Sequence, residues 1–392
     1  MLGKFGRWWG KTPLALLQIN RQKPKLWVAI LGITFADVLM FVQLGVKDAL
    51  FDSQVAPYTT LQGDLFVINQ LSDNLQSVES FSRDHLYRAK GLNGVDSVSS
   101  LHIGQAQWRN PENQASRQIF VYGIDPEHSV FDSPEIDRYL DQLKLSNRII
   151  FDRAGAIPKL GNVPKLLSQQ NPLSVQVNDF ETKVVGLFTL GSSFSTEGNL
   201  IASDSTFLQL FRERNADEID VGVVNLKSNV TTEVVQQQLR AILPERFLVL
   251  TLDEFIARER KYWEKDSPIG YIFGFNVAIS VLVGTIIVYQ ILYADVSEHL
   301  AEYATLMALG YSHLYLVKVI IQEALILAVL GFIPGVLIST GFCSVISSAT
   351  LLPIVFKISR ARLILVLTIA MCIVSGTIAL SKLRQADPAD IF

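Results

Sequence analysis

The chain has 392 residues, 49% of them hydrophobic and 18% charged, with a mean hydropathy of +0.30. That is too apolar for a soluble domain and too charged for a chain held wholly in lipid, so membrane spans with a sizeable water-facing domain are expected. A net charge of −3 supplies no basic field for nucleic acid. The two cysteines, Cys343 and Cys372, lie in apolar runs and offer neither a disulfide framework nor a thiolate metal site.

Residues 1–25 carry Lys4, Arg7, Lys11, Arg21, Lys23 and Lys25 and no acidic residue. The positive-inside rule keeps this amphipathic segment in the cytoplasm. The first predicted span, LWVAILGITFADVLMFVQLG (26–45), contains one charge, Asp37. Its apolar run is too long for a signal peptide and no small-residue cleavage site follows. Helical pattern continues to Asp52, about 40 Å from Leu26, longer than the ~30 Å hydrocarbon core.

Residues 53–251 read as a mixed α/β domain outside the cytoplasm. Strands are predicted at DLFVINQ (64–70), RQIFVYGI (117–124), PLSVQV (172–177) and DVGVVNL (220–226), and a helix at TTEVVQQQLRAIL (231–243). A strand, a helix and another strand recur over 64–101 and 220–251. Two such units would pack as one subdomain, with about 102–215 inserted between them as a second.

LDEFIARERKYWEK (252–265) has helical spacing and ends in Tyr262 and Trp263, residues that favour the membrane interface. With the extended first span it would make a stalk able to pass movement outward, or a mere connector. The second span is GYIFGFNVAISVLVGTIIVYQILY (270–293). The third runs from Leu314 to Thr340 with Gln322 and Glu323 inside it, and the fourth is LILVLTIAMCIVSGTIAL (363–380). Residues 341–362 are expected as an extracytoplasmic loop, although apolar character through Phe356 leaves a fifth, short span open. Lys357, Arg360 and Arg362 would then stand outside, against the charge rule. The tail, 381–392, is expected in the cytoplasm.

No G-x-x-x-x-G-K-[ST] phosphate loop is present, so ATP is not bound in that way, and no H-E-x-x-H or G-x-S-x-G occurs. An enzyme is not expected, nor a metal. Asp37 near the bilayer midplane must face protein or water, as a conduit group, a proton-linked switch or a hydrogen-bonded packing residue. Glu323, with Gln322 beside it, carries the same alternatives. Gly270 and Gly274, and Gly331 and Gly335, have the G-x-x-x-G spacing that lets helix backbones approach, within the chain or in a dimer.

Between spans two and three, SEHLAEYATLMALGYSHLYL (297–316) holds Glu298 and Glu302 four residues apart. Like charges at that spacing are mildly unfavourable in an isolated helix. They suit a basic groove on another chain, or else a solvated face, which charge alone favours. Within it EYATLMALGYS resembles the coupling-helix motif E-I-G-x-x-[RK]-A-L-G-A-[ST] of the MacB/FtsX superfamily of ABC transporter permeases. Glu302 matches the Glu, Ala308-Leu309-Gly310 the A-L-G, and Ser312 the hydroxyl residue. QEALILAVLGFIPG (322–335) resembles the following span, and ADPAD (386–390) the D-P tail. ITFADVLMFVQLGVKDALFDSQ (33–54), LGSSFSTEGNLIASDSTFLQL (190–210) and IIVYQILYADVSEHLAEYATLMALGY (286–311) resemble the cyanobacterial DevC branch. Two departures stand out: Leu300-Ala301 replaces the Arg before the Glu, and Met307 occupies a position usually basic.

The resemblance implies a four-span permease that acts as a homodimer in the bacterial inner membrane, its outer domain porter-like with an inserted Sabre-like part. It implies that Glu298, Glu302, Tyr303, Leu306, Met307, Leu309, Gly310 and Tyr311 contact a separate ABC ATPase, which binds the ATP and Mg. A periplasmic membrane-fusion adaptor and a TolC-like outer-membrane channel would complete the machine, with a lipid-like cargo such as a glycolipid. FtsX-like signalling to a cell-wall hydrolase and lipoprotein release are the alternatives.

Overall fold

The computed structural model describes residues 23–383 except 192, 194, 195, 300, 301, 303, 304, 306–308, 351 and 353. Lys4, Arg7, Lys11, Arg21 and the ADPAD tail lie outside the described residues. Internal packing divides the chain into Met1–Ala49 with Pro268–Phe392, and Leu50–Ser267.

Helix α1 (Lys23–Val55) has 33 residues, about 50 Å at 1.5 Å per residue. It runs three residues beyond the expected Asp52. A 3₁₀ turn, Ala56–Thr60, ends it with Pro57 in the first turn, where a missing N–H costs nothing.

The second unit is built on one mixed sheet. Its strands are β1 (Leu65–Asn69), β3 (Val95–Arg109), β4 (Ser116–Ile124), β5 (Arg148–Asp152), β6 (Leu173–Val177), β7 (Phe180–Phe188), β8 (Asn199–Ser203), β10 (Val221–Leu226) and β11 (Phe247–Leu250). They stand in the order β11-β1-β10-β3-β4-β8-β5-β7-β6, while β2 (Phe81–Ser82) and β9 (Glu218–Ile219) pair separately. Helix α2 (Arg83–Lys90) lies between β2 and β3, α3 (Val163–Gln169) before β6, α4 (Asp204–Leu210) after β8, α5 (Thr232–Ile242) before β11, and α6 (Leu252–Lys261) after it.

The two strand–helix–strand units are present. Alternation explains how they pack: Leu65 and Val67 of β1 share a core with Leu86 and Ala89 of α2 and Val235 and Leu239 of α5. Phe66 and Ile68 point to the opposite core, where Phe255 of α6 stacks on Phe66 at 5.2 Å. The residues between these two units continue the same sheet. Strand β3 pairs with β10 over Leu226 to Val221 and continues into β4 from Leu101 to Arg109, so both parts share one sheet. The strand stays extended through Gly104, where the Phe211 ring leaves no room for a Cβ, and Trp108 at its far end is fully buried with its indole N–H donating to the Leu160 carbonyl at 2.9 Å.

Ion pairs at Asp220, which is buried, and Asp204, which is half-buried, fasten the seam. Asp220 accepts from Ser80 at 2.7 Å, Arg214 at 2.6 Å and the Ile103 N–H at 2.7 Å. Asp204 accepts from Arg83 at 3.2 Å and Ser100 at 3.0 Å. Burial would raise the Asp204 carboxyl, but His102, Arg83 and Ser100 outweigh it and hold it below its usual value.

Helix α7 (Pro268–Glu298), α8 (His313–Thr350) and α9 (Ile358–Leu383) join α1 in the first unit. These four are the helices long and apolar enough to cross a membrane among the described residues. Residues 341–350, expected in a loop, continue α8, and α9 starts five residues before the expected 363. The hydroxyls of Ser348 and Thr350 fold back onto the carbonyls of Val345 and Ile346 at 2.8 and 2.7 Å, so they sit within helix instead of breaking it. The apolar stretch after Gly341 is therefore the end of span three and not a fifth span.

Small residues set the helix spacing. A Cβ on Gly331 would lie 2.6 Å from the Ile33 Cβ, and one on Gly335 would lie 2.9 Å from the Asp37 Cβ, so α8 packs directly on α1. Gly284 of α7 faces the Met371 sulfur and Ala36 with equally little room. By contrast, a Cβ on Gly274 meets nothing within 4 Å. Gly331→Val is expected to destabilise the chain by about 1–3 kcal/mol through overpacking, whereas Gly274→Ala should leave the apparent Tm in detergent unchanged. Thermal denaturation of the two variants side by side checks this; equal shifts would refute the packing difference.

Candidate functional site

Helix α7 ends at Glu298, exposed, and the described residues that follow include Glu302 and Thr305, both helical and exposed. The Leu309 N–H donates to the Thr305 carbonyl at 3.0 Å. Leu309 is 72% exposed. Gly310 takes φ +90° with open space around it, a left-handed stop that costs glycine little. Exposed Tyr311 then leans on Tyr315, ring centroids 4.9 Å apart, at the entry to α8. Tyr303, Leu306 and Met307, with Leu300 and Ala301, lie outside the described residues. Glu298, Glu302, Leu309 and Tyr311 are each exposed, acidic and apolar groups within one short stretch of chain.

Behind this segment, Glu323 is 5% exposed and faces Asp295 of α7. His299, buried, places Nδ1 3.0 Å from the Asp295 carbonyl and 3.6 Å from its carboxylate. Gln322 is half-buried next to them. Sequence alone singled out Glu323 and missed Asp295 and His299, because they sit on another helix and no spacing links them.

Asp37 is fully buried between α1, α8 and α9. Its Oδ1 accepts from Thr368 Oγ1 at 2.5 Å, and Thr368 Oγ1 also lies 2.8 Å from the Ile364 carbonyl. Three further polar contacts tie helices together: Thr34 Oγ1 to the Gly331 carbonyl at 3.0 Å, Ser280 Oγ to Gln43 at 3.1 Å, and Ser375 Oγ to the Thr285 carbonyl at 2.8 Å. Asp37 thus belongs to a set of interhelical bonds. Gly270 is buried at the start of α7.

The aromatic pair before α7 departs from expectation. Trp263 is buried within the second unit, not laid along a membrane interface, and its Nε1 donates to Glu259 Oε1 at 2.8 Å. An indole in a protein interior needs an acceptor, and Glu259 provides it. Glu259 also accepts from the Leu75 N–H at 3.0 Å. Tyr262 is half-exposed and meets Trp263 edge to face, within a π-helical turn, Tyr262–Asp266. One turn earlier Arg260 pairs with Asp52, joining α6 to the end of α1. Burial pushes the Glu259 carboxyl up to about 7, against the hydrogen bonds from Trp263 and Leu75 and the Arg258 charge.

Among the described residues no three His, Cys, Asp or Glu side chains gather in a way that could hold a metal ion. Residues 274–388 match the family model described as FtsX-like permease C-terminal. This FtsX-like region takes in most of α7, the exposed segment after it, α8 and α9. No curated protein matches the chain. Among solved structures, the periplasmic region of MacB from Actinobacillus actinomycetemcomitans is similar at 15% identity and TM-score 0.36, covering 50% of this chain and 92% of that one. The extracellular domain of YknZ, a noncanonic ABC-type transporter from Gram-positive bacteria, is similar at 15% identity and TM-score 0.32, covering 48% and 99%. Neither likeness bears on what this chain carries or binds.

Two outcomes follow from these contacts. Thr368→Val removes the donor to a buried carboxyl and should cost about 1–3 kcal/mol, while Asp37→Asn, which keeps shape and hydrogen bonding, should cost less; apparent Tm in detergent ranks them. Because the folded Glu259 titrates near 7, above its ordinary 4.5, its stabilising contribution is complete below about 4.5 and is lost as pH rises through about 7. Thermal stability of the second unit should therefore fall across that window, and Glu259→Gln should flatten the fall; an unaltered pH profile in Glu259→Gln would show that another group titrates.

Proposed function

We propose that this chain is the permease subunit of an ABC-type exporter in the bacterial inner membrane, with both termini in the cytoplasm and residues 50–267 in the periplasm. The observation that carries the reading is the FtsX-like match over 274–388, which encloses the exposed segment bearing Glu298, Glu302, Leu309, Gly310 and Tyr311. A separate ATPase subunit, which binds ATP and Mg, docks on that segment, and two copies of this chain work as a pair. Strokes of the ATPase move the four helices, and α1 carries the movement outward, since it exceeds the ~30 Å hydrocarbon core by several turns. The Asp52–Arg260 pair then passes it to α6 within the outer unit. A periplasmic adaptor and a TolC-like channel receive the cargo, which is lipid-like, a glycolipid being the foremost example. Cargo is handled by binding and motion, without catalysis in this chain.

Charge reversal tests the docking surface. Glu302→Lys should weaken ATPase co-purification from native membranes by about tenfold, equivalent to ~1.4 kcal/mol, with the outer unit still folded. Gly310→Val should act similarly, because a β-branched residue at φ +90° costs about 1–3 kcal/mol. Unchanged binding and unchanged ATPase stimulation in both variants would overturn the assignment. Proteins recovered with the wild-type chain decide the class: an adaptor supports export, a cell-wall hydrolase in its place refutes it.

A further inference from the structure

The first unit contains a cavity of about 410 Å³ among α1, α8, α9 and the segment joining the last two. It lies at the end of the helices where α1 carries Asp48, next to the point at which the chain leaves for residues 50–267. Its size falls in the range of small-molecule sites.

Arg360 forms its base. The guanidinium is 6% exposed and donates from Nε and Nη2 to Asp48 Oδ2 at 3.0 and 2.7 Å. Both bonds end on one oxygen, so the Nη1 edge is not used by Asp48. A wall of hydroxyls rises beside it: Thr340, Ser344 and Ser348 on one ridge of α8, Ser339 and Ser347 on the next. Ser339, Thr340 and Ser348 spend their protons on carbonyls of their own helix at 2.7–3.0 Å, and Ser347 on the Leu352 carbonyl at 2.7 Å. They therefore face the cavity as acceptors. The rim is apolar, with Val355 and Phe356 lining the cavity and exposed at its mouth.

A guanidinium edge for an oxyanion, lone pairs for O–H or N–H donors, and an apolar rim for hydrocarbon are three complementary features of one kind of molecule. We propose that this cavity holds the headgroup of a membrane phospholipid, its phosphate on Arg360, its hydroxyl or ammonium donors on the α8 hydroxyls, and its acyl chains along Val355 and Phe356. The basic run KISRAR (357–362), with Lys357, Arg360 and Arg362 and no acid, supports it from the sequence side. Three cations on the outer face oppose the charge rule for topology, and anionic headgroups offset them. The site needs only the membrane location of these helices, not the ATPase-coupled reading.

The test uses the full chain, released from detergent in native mass spectrometry after titration with phosphatidylglycerol, phosphatidylcholine or inorganic phosphate. Phosphatidylglycerol should be retained, phosphatidylcholine, whose methylated ammonium has no N–H, about fivefold less, the scale of one net hydrogen bond. Inorganic phosphate should not displace the lipid. Ser344→Phe fills the cavity and should lower retained phosphatidylglycerol by about fivefold or more. Thr340→Val, isosteric and harmless to folding, should erase the preference over phosphatidylcholine. Equal retention of both lipids by the wild type, full retention in Ser344→Phe, or displacement by free phosphate overturns the proposal. So does a shift from dimer to monomer in Ser344→Phe with lipid count unchanged, which would assign the face to a second copy of the chain.

Discussion

In hydrocarbon a polar group cannot turn to water, and that constraint organises the spanning half of this protein. Backbone groups meet it by remaining helical, through Pro334 in α8 and through the serine-rich stretch to Thr350. Side chains meet it by reaching across helices. Asp37 finds Thr368, Thr34 finds the Gly331 carbonyl, and Ser280 finds Gln43. Such bonds are short only if the helices are close, and Gly284, Gly331 and Gly335 make them close. Polar pairing and glycine packing are thus a single device: a larger residue at 335 would push away the helix whose carboxyl needs its partner.

Water-facing residues obey the same rule by other means. One nine-stranded sheet serves both parts of the second unit because β3 crosses from one to the other without a break. Its crossing is fastened by Asp220 and Asp204, each paired with an arginine and further donors, so that no buried charge is left alone. Asp152 does similar work further along, accepting from the N–H groups of Ala154, Leu190 and Gly191 and from Asn199. Glu259 differs: burial dominates its environment, and its hydrogen-bond partners are an indole and a backbone N–H.

How much could be read beforehand varied with the range of the interaction involved. Span count, the long first helix, the strand–helix–strand repeats and the turn at Gly310 all rest on local composition or period, and all were legible. The end of α8 was misread, because Ser348 and Thr350 look like loop residues until their hydroxyls are seen bonded back to the helix. Trp263 was misread too, since a tryptophan next to a span suggests lipid unless a buried acceptor such as Glu259 is in view. Partners such as Thr368 for Asp37, Asp295 for Glu323 and Asp48 for Arg360 are tens to hundreds of residues away, and no pattern along the chain pairs them.

By itself the sequence determined that this is a membrane chain with four apolar helices, a large α/β part and an exposed acidic segment closed by glycine, because hydropathy and turn propensity act over a few residues at a time. Only the tertiary structure decided which glycines face a neighbouring helix, where each buried charge finds its counterpart, and that Arg360 and a wall of hydroxyls enclose a cavity. Those outcomes depend on distances between helices and strands far apart in the chain, and such distances exist only once the elements pack.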